Sequence, residues 1–184
     1  MFKSGDIVGL KALWWQRWMT WLTSPPTDRI HFLLLGMPVP GGNDWIIYES
    51  LVSRGVRVGR ISWYLGQHAK VYRSPDPNVG RLAAFEASIY GRAKFDYVLI
   101  LSVLWIAIKY WCQHGPKRIP YYELTDLPNR SLWCVELVIK AYEKYVRLVP
   151  EGIAATPSAI EQARLDGKLT TIFEGILTHE VLNG

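Results

Sequence analysis

The chain places its strand-forming segments before its helix-forming segments, and this order constrains the fold more than any other feature. Continuous or alternating apolar runs bounded by turn residues predict strands, and apolar residues repeating every three to four positions predict helices. Strands are predicted at residues 5–10, 30–35, 45–49, 55–64 and 69–72, and helices at 79–90, 96–112, 131–146 and 156–163. A sheet that is built first and covered by later helices indicates an α+β domain.

The length and composition are those of one globular domain. The chain has 184 residues, of which 49% are hydrophobic and 20% are charged. That length suits a single domain with a sizeable core, and we expect it to span residues 1–184. We find no internal repeat.

The net charge of +5 favours an anionic partner such as a cell-wall polymer or a membrane surface. The basic residues are scattered along the chain rather than clustered, so nucleic-acid binding is not expected. The most apolar stretch, residues 97–108, is shorter than the roughly 20 residues that span a bilayer and predicts a buried helix. The first residues lack the apolar region of a secretory signal, so synthesis in the cytoplasm is expected.

The cysteine count argues against a disulfide scaffold and against a metal site. Only Cys112 and Cys134 are present, and the sequence contains neither a CxxC pair nor an HExxH motif. We therefore expect no metal and no cofactor. Cys112 lies at the end of a predicted helix between Trp111 and Gln113, and it is interpreted as structural.

Tryptophan is unusually frequent, with nine residues in the chain. Trp14, Trp18 and Trp21 follow the spacing of one helical face, in a helix predicted to end at Ser24-Pro25. That face could pack on the domain core, lie at a lipid interface or fill the groove of a protein partner.

Cys134 lies at the predicted start of an amphipathic helix. With Ser131 as N-cap, Cys134 would occupy the third helical position, where free amides and the positive end of the helix dipole favour a thiolate. The same amides could stabilise the oxyanion of a tetrahedral intermediate. The plain alternative is a small buried hydrophobic residue.

Two further residues complete a possible nucleophilic site. His31 begins the apolar strand at 30–35, and Glu49 ends the next strand, so neighbouring strands could bring an imidazole and a carboxylate together. A thiol, its base and a group that orients the base form a catalytic triad, whatever their order in the chain. Alternatively, His31 is a satisfied polar residue and Glu49 an ordinary carboxylate at a strand end.

Five segments in this order resemble the circularly permuted NlpC/P60 hydrolases of the YiiX/YebB-like branch. They are Gly5-Asp6-Ile7-Val8, His31 with its strand, Tyr48-Glu49-Ser50, Phe95-Asp96-Tyr97 and Trp133-Cys134-Val135-Glu136-Leu137-Val138. Thr156-Pro157-Ser158 resembles the closing element of the family. The resemblance implies a permuted papain-like core, in which an antiparallel sheet packs against helices. It also implies Cys134 as nucleophile, His31 as base and Glu49 as third member.

Three functions follow as hypotheses. The first is a cysteine hydrolase that cleaves an amide bond in peptidoglycan stem peptides, delivered as a component of a bacteriophage tail. In that setting, Trp14, Trp18 and Trp21 would dock on other virion proteins. The second keeps the chemistry but directs it to lipids, as a thioesterase or acyltransferase at a membrane surface. The third is a structural or docking module with an inert triad, because a fold does not determine a function.

Overall fold

The computed structural model describes residues 2–14, 21–51, 54–91, 93–94, 97–124 and 133–183. The described strands are β1 (Ile7–Lys11), β2 (Thr23–Ser24), β3 (Arg29–Pro38), β4 (Trp45–Leu51), β5 (Gly55–Arg60), β6 (His68–Arg73), β7 (Ile119–Pro120) and β8 (Thr170–Ile176). Six of them form a central antiparallel sheet in the order β5-β4-β3-β1-β6-β8, and a separate parallel pair joins β2 and β7.

Five helices are described, together with short 3₁₀ turns at Ile61–Tyr64 and Tyr121–Glu123. The helices are α1 (Pro77–Ile89), α2 (Tyr97–His114), α3 (Cys134–Glu143), α4 (Pro157–Leu165) and α5 (His179–Asn183). The expected α+β class with an antiparallel sheet packed against helices is confirmed. In the described part of the chain, no helix combines the length and the apolar character needed to cross a membrane.

The two faces of the sheet bury different cores, because successive side chains of a strand point in opposite directions. One face packs Ile7, Phe32 and Leu34 against α1, α3 and α4. The other face buries Leu33 and its neighbours against the 3₁₀ turn and the C-terminal segment. The continuous apolar run in β3 therefore reflects a central strand that is covered on both sides.

Several predicted boundaries differ from the structure. The strand expected at 55–64 ends at Arg60, and Ile61–Tyr64 forms a 3₁₀ turn instead. Strand β8 was not predicted, although it pairs with β6 at the sheet edge. Its exposed and half-buried side chains carry little of the hydrophobic pattern that identifies a strand. The predicted tryptophan-rich helix lies largely in residues 15–20, outside the described residues.

The Gly-Asp segment before β1 has a structural role. The Asp6 carboxylate is buried and accepts two hydrogen bonds of 2.7 Å from the Arg73 guanidinium. Gly5 has a positive φ of 88°, and a Cβ there would lie 1.9 Å from the Gly80 carbonyl oxygen. Tyr142 donates a hydrogen bond of 2.5 Å to the Gly5 carbonyl. The segment thus fastens α1 and α3 to the sheet.

Candidate active site

Helix α3 begins at Cys134, and this corrects the predicted start at Ser131. Trp133 is the N-cap, with an extended backbone, and its carbonyl accepts a 3.0 Å hydrogen bond from the Leu137 amide. Ser131 lies outside the described residues. Cys134 therefore occupies the first helical position rather than the third, and its amide precedes the first hydrogen bond of the helix.

The Cys134 side chain is nearly buried between α3 and β3. Its residue exposure is 7%, and its Sγ lies 3.5 Å from the Ile30 carbonyl oxygen. The imidazole of His31, the next residue of the strand, lies close enough to the thiol for the two groups to interact electrostatically. The sulfur is thus held at a helix N-terminus with an imidazole beside it.

The His31 ring lies between the Cys134 thiol and the Glu49 carboxylate. Its Nε2 is 2.8 Å from Glu49 Oε2, and 21% of its side chain is exposed. Because Nε2 faces the carboxylate, Nδ1 is the ring nitrogen left for the thiol. An imidazolium in this position can donate one hydrogen bond to the carboxylate and another to a thiolate.

Glu49 is completely buried in the centre of β4, opposite Leu33 of β3 and Arg57 of β5. Arg57 donates to Oε1 from Nε at 2.9 Å and from Nη2 at 2.8 Å. The Tyr64 hydroxyl donates to Oε2, the oxygen that also faces His31. Both carboxylate oxygens are therefore held in place, so the orientation of Glu49 is fixed.

Sequence reasoning did not identify Arg57 or Tyr64. A signal for Arg57 was present, because a tight hairpin that pairs Leu51 with Gly55 also places Arg57 opposite Glu49. No comparable signal existed for Tyr64, since its position depends on the 3₁₀ turn after β5.

The electrostatics of the cluster favour a charged imidazole beside a charged carboxylate. Burial lowers the pKa of His31, but hydrogen bonds and charge interactions with Cys134 and Glu49 outweigh it and raise the pKa to about 9. Burial raises the pKa of Glu49, but bonds from His31, Tyr64 and Arg57 outweigh it, so its pKa lies below 4.5. Burial, followed by the contact with Glu49, raises the pKa of Tyr64 and keeps it a donor.

The predicted tryptophan face is only partly described. Trp14 is 83% exposed, and Trp21 is 44% exposed with its ring 6.1 Å from that of Trp111. Trp18 lies outside the described residues. Docking through these three residues remains a prediction.

The described residues do not fit a metal centre. Among them, no group of three or more His, Cys, Asp or Glu side chains is placed to hold a metal ion. At the candidate site the Glu49 oxygens are engaged by Arg57, Tyr64 and His31.

Comparisons with known proteins support the fold. No family model matches the chain, and no curated protein matches it. Among solved structures, the chain is similar to metalloprotein YiiX, DUF1105, from Escherichia coli O157:H7, with a TM-score of 0.62 and 14% sequence identity. The match covers 95% of this chain and 98% of the other. The structure therefore has a YiiX-like α+β fold.

Proposed function

We propose that this protein is a cysteine hydrolase that cleaves amide bonds, with Cys134 as nucleophile, His31 as base and Glu49 as the residue that orients the base. The observation that carries the proposal is the His31 imidazole, which lies 2.8 Å from the buried Glu49 carboxylate on one side and interacts electrostatically with the Cys134 thiol on the other. A nucleophile, a base and an orienter in hydrogen-bond contact are the parts that acyl transfer requires.

The arrangement resembles a papain-like site in permuted order. The nucleophile begins a helix that packs on an antiparallel sheet, and the base and its partner lie on the adjacent strands β3 and β4. His31 and Glu49 precede Cys134 in the chain, as the resemblance to permuted NlpC/P60 hydrolases implies. Membership of that branch is part of the proposal.

The first half of the reaction forms an acyl-enzyme. His31 accepts the thiol proton, the Cys134 thiolate attacks the substrate carbonyl carbon, and a carbon–sulfur bond forms as the carbonyl becomes an oxyanion. The Cys134 amide, at the positive end of the helix dipole, is placed to donate to that oxyanion. The intermediate then collapses, the carbon–nitrogen bond breaks, and His31 gives its proton to the leaving amine.

The second half regenerates the thiol. His31 removes a proton from water, and the resulting hydroxide attacks the thioester carbonyl. The carbon–sulfur bond breaks, a carboxylic acid leaves, and the proton on His31 returns to the Cys134 sulfur. Glu49 holds the ring orientation throughout and stabilises the imidazolium. For the substrate we propose peptide bonds of peptidoglycan, because the net charge of +5 suits an anionic polymer.

Selective alkylation of the two cysteines tests the site without a known substrate. Cys112 is exposed and Cys134 is buried, so simple accessibility predicts faster labelling of Cys112. An assembled triad instead predicts faster labelling of Cys134 near pH 6, where an ordinary thiol is protonated and reacts slowly. The protein would be treated with iodoacetamide, and both cysteines would be followed by peptide mass spectrometry. Slow labelling of Cys134 at or below the rate of Cys112 would refute the triad and favour a docking module.

Release of peptides from purified peptidoglycan tests the substrate class separately. We expect release by the wild type and by Cys112→Ala, and none by Cys134→Ala. A protein that labels selectively at Cys134 but releases nothing would retain the triad and reject peptidoglycan as the substrate.

A further inference from the structure

Helix α2 carries an exposed apolar stripe on the side that faces away from the core. Leu101, Trp105 and Ile108 are 65%, 61% and 52% exposed, and Cys112 is exposed too. Their spacing of four, three and four residues places them along one line of the helix. We call these four residues the α2 outer stripe. Exposed apolar surface of this kind marks a contact site rather than ordinary scatter.

The neighbouring side of α2 is already used by the fold. Leu104, Ala107 and Trp111 pack in a small core with Leu22 and neighbouring buried residues. The helix is therefore apolar on two sides, and the inner side alone accounts for its attachment to the domain. The outer stripe needs a different partner.

The charges on α2 and in the segment just after it indicate the chemistry of that partner. Residues 97–122 contain no Asp or Glu but three cations, Lys109, Lys117 and Arg118. All three are exposed, and no ion pair involves them within the part of the chain that the structure describes. Lys109 Nζ lies 6.0 Å from the centre of the Trp105 ring. A cation beside an interfacial aromatic residue suits an apolar layer edged by negative charge.

We propose that the α2 outer stripe binds the surface of an anionic phospholipid bilayer, with the helix axis in the plane of the interface. The apolar side chains enter the boundary between head groups and acyl chains, and the three cations meet the lipid phosphates. An in-plane orientation agrees with the lack of a described helix that could cross a membrane. A second copy of the chain is a poorer partner, because symmetric pairing of the stripes would bring like charges together.

The surface is independent of the hydrolase proposal, although it lies near the same site. Trp133, the residue before Cys134, packs against the small core that also includes the inner side of α2. Trp133 therefore lies on the inner side of α2, and the helix separates it from the bilayer that the outer stripe would meet.

Vesicle binding by the full chain tests the proposal. The probes are vesicles of phosphatidylcholine alone and vesicles that also contain phosphatidylglycerol. We expect binding to the anionic vesicles only, and a loss of at least about tenfold in Trp105→Ser/Ile108→Ser and in Lys109→Glu/Lys117→Glu. The matched control is Phe85→Ser, because Phe85 is 66% exposed on α1, outside the stripe, and its replacement should leave binding unchanged. Thermal unfolding of each variant verifies folding.

Cys112 provides a second readout that does not depend on catalysis. An environment-sensitive fluorophore on Cys112 of the Cys134→Ala variant should brighten when anionic vesicles are added, because the probe enters the interface. Binding neither kind of vesicle, equal binding to both, or equal loss in Phe85→Ser would overturn the proposal. So would a dimer that Trp105→Ser/Ile108→Ser dissolves, since the stripe would then be an interface between copies.

Discussion

Two buried carboxylates, one within the sheet and one just before its strand β1, each form an ion pair with an arginine from a nearby strand, and they differ in which other groups they contact. Asp6, just before β1, is 1% exposed and bound by Arg73 at the end of β6. Glu49, within β4, is 0% exposed and bound by Arg57 of β5. We call these two sites the Asp6 centre and the Glu49 centre. The two carboxylates are almost equally buried, and each is paired with an arginine.

The neighbours of the two carboxylates separate them. Besides Arg73, Asp6 accepts a 2.8 Å bond from the Lys3 amide, and neither partner changes charge near neutral pH. Glu49 instead contacts His31, and the His31 imidazole also interacts electrostatically with the Cys134 thiol. A buried carboxylate that is paired only with an arginine therefore forms a structural ion pair. A functional role requires in addition a titratable group that connects the carboxylate to a nucleophile.

The largest expected effect is on catalysis by the Glu49 centre. Glu49→Gln should lower the rate of amide cleavage by roughly 10²–10⁴-fold, because a neutral amide stabilises the His31 imidazolium far less than a carboxylate. Peptide release from peptidoglycan measures this, and the alkylation rate of Cys134 near pH 6 should fall in parallel.

Asp6→Asn is the matched control for that experiment. Per folded molecule, its cleavage rate should stay within about threefold of wild type, because Asp6 is not linked to the nucleophile. Equal losses of cleavage rate in folded Glu49→Gln and folded Asp6→Asn would show that the two centres do not differ in their importance for catalysis.

The second effect is on stability and belongs to the Asp6 centre. Asp6→Asn should lower the free energy of unfolding by about 3 kcal/mol, because the partly buried Arg73 loses its counter-charge. Urea denaturation measures the change. The contrasting pair is Arg147–Glu151, whose side chains are 56% and 84% exposed, and Glu151→Gln should cost less than about 0.5 kcal/mol. If Asp6→Asn lowered the free energy of unfolding by a similarly small amount, the ion pair between Asp6 and Arg73 would have no stabilising role.

The third effect is a pH dependence of stability that the Glu49 centre produces. The pKa of His31 rises from 6.5 to about 9 on folding, so its contribution to stability is complete below pH 6.5 and is lost as pH rises through 9. The pKa of Glu49 is lowered, so its contribution is present above 4.5 and is lost on acidification. We expect maximal stability between these limits.

Urea midpoints at pH 6 and above pH 9 test this window. The alkaline loss should be on the order of 2 kcal/mol in the wild type and should largely vanish in His31→Gln. It should persist in Asp6→Asn. A loss that is unchanged in His31→Gln would place its origin in another group.

Much of the Glu49 centre could be predicted from the sequence. His31 and Glu49 adjoin apolar runs that pair as neighbouring strands, and Cys134 begins a strongly patterned helix. The class of the fold follows from the same local patterns. By contrast, the predicted start of α3 at Ser131 was wrong. Trp133 is the N-cap through its extended backbone and makes no side-chain capping bond, so the sequence carries no capping signal at this position.

The Asp6 centre and Tyr64 could not be predicted in the same way. Asp6 meets Arg73, 67 residues away, only because β6 pairs with β1, and no local periodicity encodes that pairing. Tyr64 reaches Glu49 because the chain turns tightly after Arg60, where alternation had predicted a longer strand. Contacts made by tertiary pairing and irregular turns carry no signal in sequence spacing.

The smallest predicted effect concerns Tyr64 and provides the finest test of the comparison. Tyr64→Phe removes one bond to Glu49 Oε2 but leaves Arg57 and His31 in place, so the turnover number should fall about tenfold with little change in the Michaelis constant. The counterpart is Tyr142→Phe, which removes the bond to the Gly5 carbonyl beside Asp6. It should cost about 1 kcal/mol of stability and leave turnover per folded molecule unchanged. If Tyr64→Phe instead lowered stability while keeping full turnover, the Tyr64 hydroxyl would have a purely structural role like that of Tyr142. The Glu49 carboxylate would then be oriented by Arg57 alone.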